Sequence, residues 1–178
     1  GLMMTSVRRN LDQWSRQYLR SAAYAGGIDF RHEFLDRNYS ITGYVAQSQV
    51  SGSAEAIAAT QRSSVHYYQR PDDPRFDSTL TTLGGYSAQI SLGKRGGGST
   101  LFNVGYQALS PGFEINDVGF LSRANAKNQF FWFQYHRNTP GGIYRFWNFN
   151  VNQWTNYTWN NTRTDLGGNI NAHMQLKN

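Results

Sequence analysis

Apolar and polar residues alternate one by one through most of this chain, and that pattern limits the fold more than any other feature. In 21–34, Ala22, Tyr24, Ile28, Phe30 and Phe34 fall on one side of an extended backbone, and Ala23, Ala25, Asp29, Arg31 and Glu33 on the other. In 39–50, Tyr39, Ile41 and Val45 oppose Ser40, Thr42 and Ser48. In 78–94, Leu80, Tyr86, Ala88, Ile90 and Leu92 oppose Ser87, Gln89 and Ser91. The pattern returns in 99–109 (Phe102, Val104, Tyr106 and Ala108 against Asn103, Gly105 and Gln107) and in 143–154 (Trp147, Phe149 and Val151 against Asn148, Asn150 and Asn152). It closes in 165–177, where Leu166, Ile170, Ala172, Met174 and Leu176 oppose Asn169, Asn171, His173, Gln175 and Lys177. Side chains alternate across a strand, so a period of two predicts strands with one apolar and one polar face. Segment 123–137, with "QFFWFQYH" aromatic on both faces, reads as a further strand, and residues 1–7 as the tail of another. The total is about eight strands, many longer than the roughly 5–6 residues usual in globular proteins.

The connections alternate as well. Segments 8–20, 51–77 and 110–122 are long and 155–164 medium to long, whereas 35–38, 95–98 and 138–142 are short. In an antiparallel meander this places every long loop at one end of the sheet. Bacterial outer-membrane barrels have that asymmetry, and a soluble sandwich has no reason for it. The predicted fold is all-β: an up-and-down antiparallel meander forming part of a transmembrane outer-membrane β-barrel. Residues 1–178 form one barrel segment without an internal domain boundary. The presumed lumen face is rich in short polar residues such as Ser87, Asn103, Asn150 and Asn169, which suit a wide, wet lumen. Both ends stop in mid-pattern. The segment is therefore expected to belong to a larger barrel and, alone, to show a curved sheet with open edges or a strained closure. Glycines inside the strand patterns (Gly26, Gly43, Gly84, Gly85, Gly105, Gly168) predict bends or close backbone approach.

Composition agrees with two unlike sheet faces. Charged residues make up 16% of the chain, below the roughly 25% usual in soluble domains, while aromatics reach 15%. No apolar run is long enough for a transmembrane helix, which says nothing about strands. The net charge of +6 raises the question of nucleic acid. The basic residues are spread along the chain, however, and the tight pair Arg8-Arg9 belongs to no basic helix or zinc finger, so no nucleic-acid partner is expected. The absence of cysteine excludes disulfides and thiolate metal sites.

No catalytic motif can be assigned. His32, His66, His136 and His173 lack metal-ligand spacing and read as ordinary polar positions. Asp72, Asp73 and Asp77 in "RPDDPRFD" are the calcium candidates, but they lack the Asp-x-Asp-x-Asp-Gly pattern and read as solvated carboxylates. No metal or cofactor is expected. There is no Gly-x-Ser-x-Gly elbow, and "GKRGGGST" lacks P-loop spacing. The Asn-x-Ser/Thr triplets at Asn38, Asn156 and Asn160 are expected by chance in an Asn-rich chain. Tyr44, Phe131, Tyr135, Trp147, Trp154, Tyr157 and Trp159 lie near strand ends and predict aromatic girdles at the lipid–water boundary; a sugar-stacking platform would use the same residues.

The connection "SPGFEINDVGFL" (110–121) stands apart, because a solvated loop needs neither its apolar nor its acidic residues. Pro111, Gly112, Phe113, Glu114, Asn116, Asp117, Phe120 and Arg123 are its candidate functional residues. The expectation is an external loop folded back over the barrel mouth. Phe113, Ile115, Val118 and Phe120 would pack on the wall or a neighbouring loop. Glu114 and Asp117 are the nearest thing here to an acid–base pair. At three residues apart they read better as loop-shaping groups, bonded to backbone or to Arg123.

The stretches "TQRSSVHYYQRPD" (60–72), "SPGFEINDVGFLSRA" (110–124) and "HEFLDRNYSITGY" (32–44) resemble a family of uncharacterised bacterial outer-membrane β-barrel domains. In that family the barrel usually follows a domain similar to carbohydrate-binding module family 9. The resemblance covers essentially the whole chain. It implies a bacterial outer-membrane location, the lipid bilayer as partner and a carbohydrate-binding-like domain preceding the barrel in the parent protein. It also implies passage or binding of a small solute or glycan, or anchoring of that domain. Some members are described as membrane-associated hydrolases, which leaves a surface hydrolase acting on polysaccharide or peptide as the alternative. A soluble carbohydrate-binding β-sandwich is the third reading.

Overall fold

The computed structural model describes residues 1–177. Eight strands follow one another in chain order in a single antiparallel sheet. They are β1 (Leu2–Arg8), β2 (Ala22–Phe34), β3 (Tyr39–Ser51), β4 (Thr82–Lys94), β5 (Thr100–Leu109), β6 (Ala126–Arg137), β7 (Tyr144–Tyr157) and β8 (Arg163–Leu176). Among the described residues β1 and β8 have no partner beyond β2 and β7, so the meander is an open sheet. A single slip in register would turn every side chain to the wrong face. Pairing is regular from β1 to β7, as where Val45 sits between Ile28 and Ala88; irregularities occur only between β7 and β8.

Two faces follow from that register. The inner face lies beneath the long loops and carries Ala23, Ser48, Val50, Leu83 and Ser87, all buried. Carried across the sheet, it includes Gln107, Asn128, Asn156, Asn152 and Asn169. The outer face presents Ile28, Phe30, Val45, Ile90, Val104, Phe149 and Ile170, all exposed.

Several boundaries differ from the sequence reading. β4 starts at Thr82, so Leu80 leaves the outer face and packs against the inner core. β6 starts at Ala126, which leaves Arg123 in the loop. β7 continues to Tyr157 because its polar end still pairs with β8, through Asn156↔Asp165 and Tyr157↔Arg163. The remaining connection, 158–162, is no longer than the turns at the opposite end. The alternation of long and short connections therefore fails at this last loop.

The long β3–β4 connection holds a helix that strand periodicity could not reveal, α1 (Ala54–Arg62). Its signals are local. The Ser53 hydroxyl accepts the Ala56 N–H at 3.2 Å, and four alanines favour the helix. Glu55 and Arg62 match the helix dipole at the two ends. Ile57 is fully buried and joins Ala23, Val50, Tyr68 and Leu83 in a core, while Phe113, Leu121 and Ala124 form a second one. The core thus sits between loops and wall rather than between two sheets.

Gly85 and Gly112 allow this close approach. A Cβ on Gly85 would overlap the Phe113 nitrogen and the Ser110 hydroxyl, and one on Gly112 would overlap the Gly84 carbonyl oxygen. Gly85→Ala is expected to cost about 1–3 kcal/mol through forced displacement of the loop. Gly84→Ala is the control, since its Cβ meets only the Ser48 carbonyl oxygen at 3.3 Å. Urea unfolding of the full-length protein in detergent micelles checks the difference; equal midpoints would mean that the loop does not need this contact.

Candidate functional site

Three long connections meet the wall at one buried ionic cluster. The β1–β2 connection brings Arg9 and Arg20, the β3–β4 connection brings Thr60 and His66, and the β5–β6 connection brings Pro111 to Asp117. His66 is 1% exposed and Glu114 2%. The His66 Nε2 lies 2.8 Å from Glu114 Oε2, and its Nδ1 lies 2.8 Å from the Pro111 carbonyl oxygen. Arg20 donates from Nε to Asp117 Oδ2 and from Nη1 to Thr60 Oγ1 at 3.1 Å, with Nη1 3.6 Å from Glu114 Oε2. Arg9 Nη1 sits 2.8 Å from Asp117 Oδ1. The wall takes part through Ser48, whose hydroxyl accepts the Glu114 N–H at 2.9 Å.

Burial alone pushes the Glu114 carboxyl upward. The His66 bond, the Asn116 N–H at 2.6 Å and the Arg20 charge together outweigh burial and hold the carboxyl below the ordinary glutamate value. The ionised Glu114 carboxylate and the Pro111 carbonyl oxygen engage the two ring nitrogens of His66. The ring is buried and both of its nitrogens are engaged, so as placed it has no open position toward a substrate. The arrangement clamps three loops to the wall. Among the described residues no grouping of His, Cys, Asp or Glu is arranged to hold a metal ion.

The structure brings together Pro111, Gly112, Phe113, Glu114 and Asp117 from the candidate loop, against the face that carries Ser48 and Gly85. Asn116 supports the same loop, its side-chain oxygen accepting the Leu121 N–H at 2.8 Å. Phe120 and Arg123 are left out. Phe120 is 84% exposed and packs on nothing that would seal the loop. The partners of the two acids are Arg9, Arg20 and His66 instead of Arg123, because the loop turns inward and leaves Arg123 exposed at its far end. His66, read as an ordinary polar position, is the centre of the cluster. No local signal in the sequence marks it.

The aromatic candidates divide between the faces. Tyr135 and Trp147 pack at 5.4 Å near the short-turn rim of the outer face, where Phe34, Tyr39 and Phe102 also make a continuous aromatic row. Trp159 packs edge-on against outward Tyr86 at 5.5 Å, and Tyr157 shares the outward register near the loop rim. Tyr44 and Trp154 lie on the inner face, apart from the others. Tyr44 bonds Ser87 Oγ at 3.1 Å and Gln107 Nε2 at 2.8 Å, and Trp154 Nε1 donates to Asp165 at 2.8 Å. Their parity, shared with Ser48 and Asn152, was readable in the sequence. The calcium candidates are otherwise engaged: Asp72 and Asp73 face Arg70, Asp73 also faces Arg75, and Asp77 caps the Thr79 N–H at 2.8 Å.

Fold and site together define an all-β antiparallel meander whose long loops are sealed onto one face while the other face stays apolar and uncovered. The chain belongs to a family of uncharacterised proteins: residues 15–178 match the family described as Domain of unknown function (DUF5916). No curated protein and no solved structure matches it.

Proposed function

We propose that this segment is part of the wall of a bacterial outer-membrane β-barrel that passes or binds a small solute or glycan, with inward-folded loops narrowing its lumen. The outer face carries the reading. Each strand presents there an apolar band, as with Tyr86, Ala88, Ile90 and Leu92 on β4 or Phe102, Val104, Tyr106 and Ala108 on β5. Toward the loops the band gives way to Ser6, Gln47, Gln49, Gln129 and Gln153. At ~3.3 Å per residue the band on β4 runs roughly 20 Å along the strand, close to the height of a barrel's lipid belt. An apolar surface spread over eight strands far exceeds the patches usual on soluble monomers.

The inner face supports a wet lumen. Asn150 donates to Asn148 and Asn171, Asn152 to Asn169, and Asn128 to Asn156, which leaves a surface of amide groups. An eight-stranded barrel is filled by side chains alone. Here α1 and two loops already occupy the inner side, so the closed barrel needs further strands at the β1 and β8 edges. The family resemblance adds a carbohydrate-binding-like domain as the companion of the barrel. The test is reconstitution of the full-length protein. It should remain in membranes after alkaline washing, require detergent for extraction, and give conductance steps in planar bilayers that soluble glycans block. Partitioning into the aqueous phase without detergent would overturn the proposal.

A further inference from the structure

Resting on the wall reading, the geometry points to a specific partner for the outer face: lipids with anionic, phosphate-bearing headgroups, held at both rims. Arg8, Lys94, Lys127 and Arg137 have outward register, and Arg163 lies opposite outward Tyr157. All stand at strand ends, Arg8 and Lys127 at the loop rim, Lys94 and Arg137 at the turn rim. Among the described residues, no carboxylate has outward register. The strand carboxylates Asp29, Glu33 and Asp165 all face inward.

The two sets of cations are also treated differently. Arginines of the inner face and loops, such as Arg9, Arg20, Arg31, Arg70 and Arg75, pair with carboxylates. None of these outward cations does so among the described residues. Three of them lie against an aromatic ring instead. Arg8 Cζ is 5.8 Å from the Tyr24 ring centroid, Lys94 Nζ 5.9 Å from Tyr39 and Lys127 Nζ 5.1 Å from Trp159. An aromatic ring at the lipid–water boundary with a cation beside it sits at headgroup depth. A cation there that lacks a protein anion is complemented by phosphate oxygens, which accept its N–H groups. The band between the rims takes the acyl chains of the same lipids.

The experiment compares insertion of urea-unfolded full-length protein into vesicles of phosphatidylcholine alone and vesicles also containing phosphatidylglycerol. Heat-modifiable migration on gels reports the inserted fraction. Wild type should insert about tenfold faster into the anionic vesicles, with the advantage removed by salt, as steering by opposite charge requires. Joint replacement of Arg8, Lys94, Lys127 and Arg137 by Gln should abolish the preference. A control carrying Arg16→Gln, Arg62→Gln, Arg75→Gln and Arg123→Gln loses the same charge from the loops and should keep it. Equal insertion of wild type into both vesicles, or equal loss of preference in the control, would overturn the inference and leave the wall reading intact. Failure to insert into either vesicle, with the protein folded in water, would overturn both.

Discussion

Glu114→Ala will release the long loops from the inner wall while the sheet stays paired. The substitution leaves the His66 ring and the Arg20 guanidinium facing each other without the carboxylate between them. Leaving the buried His66 Nε2 without its partner costs about 1–3 kcal/mol, while Arg20 keeps its pairing with Asp117. The Asn116 N–H loses its acceptor as well, whereas the Ser48 hydroxyl still accepts the backbone N–H at position 114. The expected result is rapid protease cleavage within 52–81 and 110–125 in a protein whose strands remain resistant. Loops as resistant as those of wild type would show that the apolar cores alone hold them.

The same residue sets a pH dependence. Its carboxyl titrates lower in the folded protein than in the unfolded chain. Its contribution is therefore complete above the ordinary glutamate value of about 4.3 and is lost as the pH falls through the lower folded value. Asp12, Glu55 and Asp77 also titrate low, but they are present in both wild type and Glu114→Gln and cancel in the comparison. The difference in urea midpoint between these two proteins should be constant near neutrality and shrink in acid. A difference that grows in acid would contradict the assignment.

Ile90→Arg is expected to block membrane assembly, whereas Gln89→Arg next to it is tolerated. Ile90 is 55% exposed on the outer face, and Gln89 shares the inner face with Tyr44 and Gln107. In water an arginine at so exposed a position costs almost nothing. At the midplane of a bilayer it costs about 2–4 kcal/mol. The pair Phe149→Arg and Asn150→Arg repeats the comparison at the far side of the sheet, where Phe149 faces out and Asn150 joins the asparagine ladder. The amount of heat-modifiable protein in the membrane fraction measures each effect. Equal amounts for outward and inward arginines would end the membrane reading.

The strands and their two faces were legible because the information is local. Alternation at a period of two places Ile90 and Gln89 on opposite faces whatever else the chain does, and "RGGG" and "LDRN" turn it back within a few residues. Even the misplaced girdle residues obeyed this rule, since Tyr44 has the parity of Ser48 and Trp154 that of Asn152. Helix α1 also had local signals, in Ser53 and the alanines after it.

The direction in which the loops fold was decided only in three dimensions. Arg20 and Asp117 are 97 residues apart, and His66 and Glu114 are 48 apart. Periodicity carries no information across such separations, and charge alone gave Arg123 as much claim to Glu114 as Arg20. The apolar and acidic residues of 110–121 announced burial without naming its partner. The choice was made by space on the wall: Gly85 and Gly112 leave room for backbone to lie against backbone, Ser48 offers an acceptor for the Glu114 N–H, and the loop so seated meets Arg9, Arg20 and His66 with its acids.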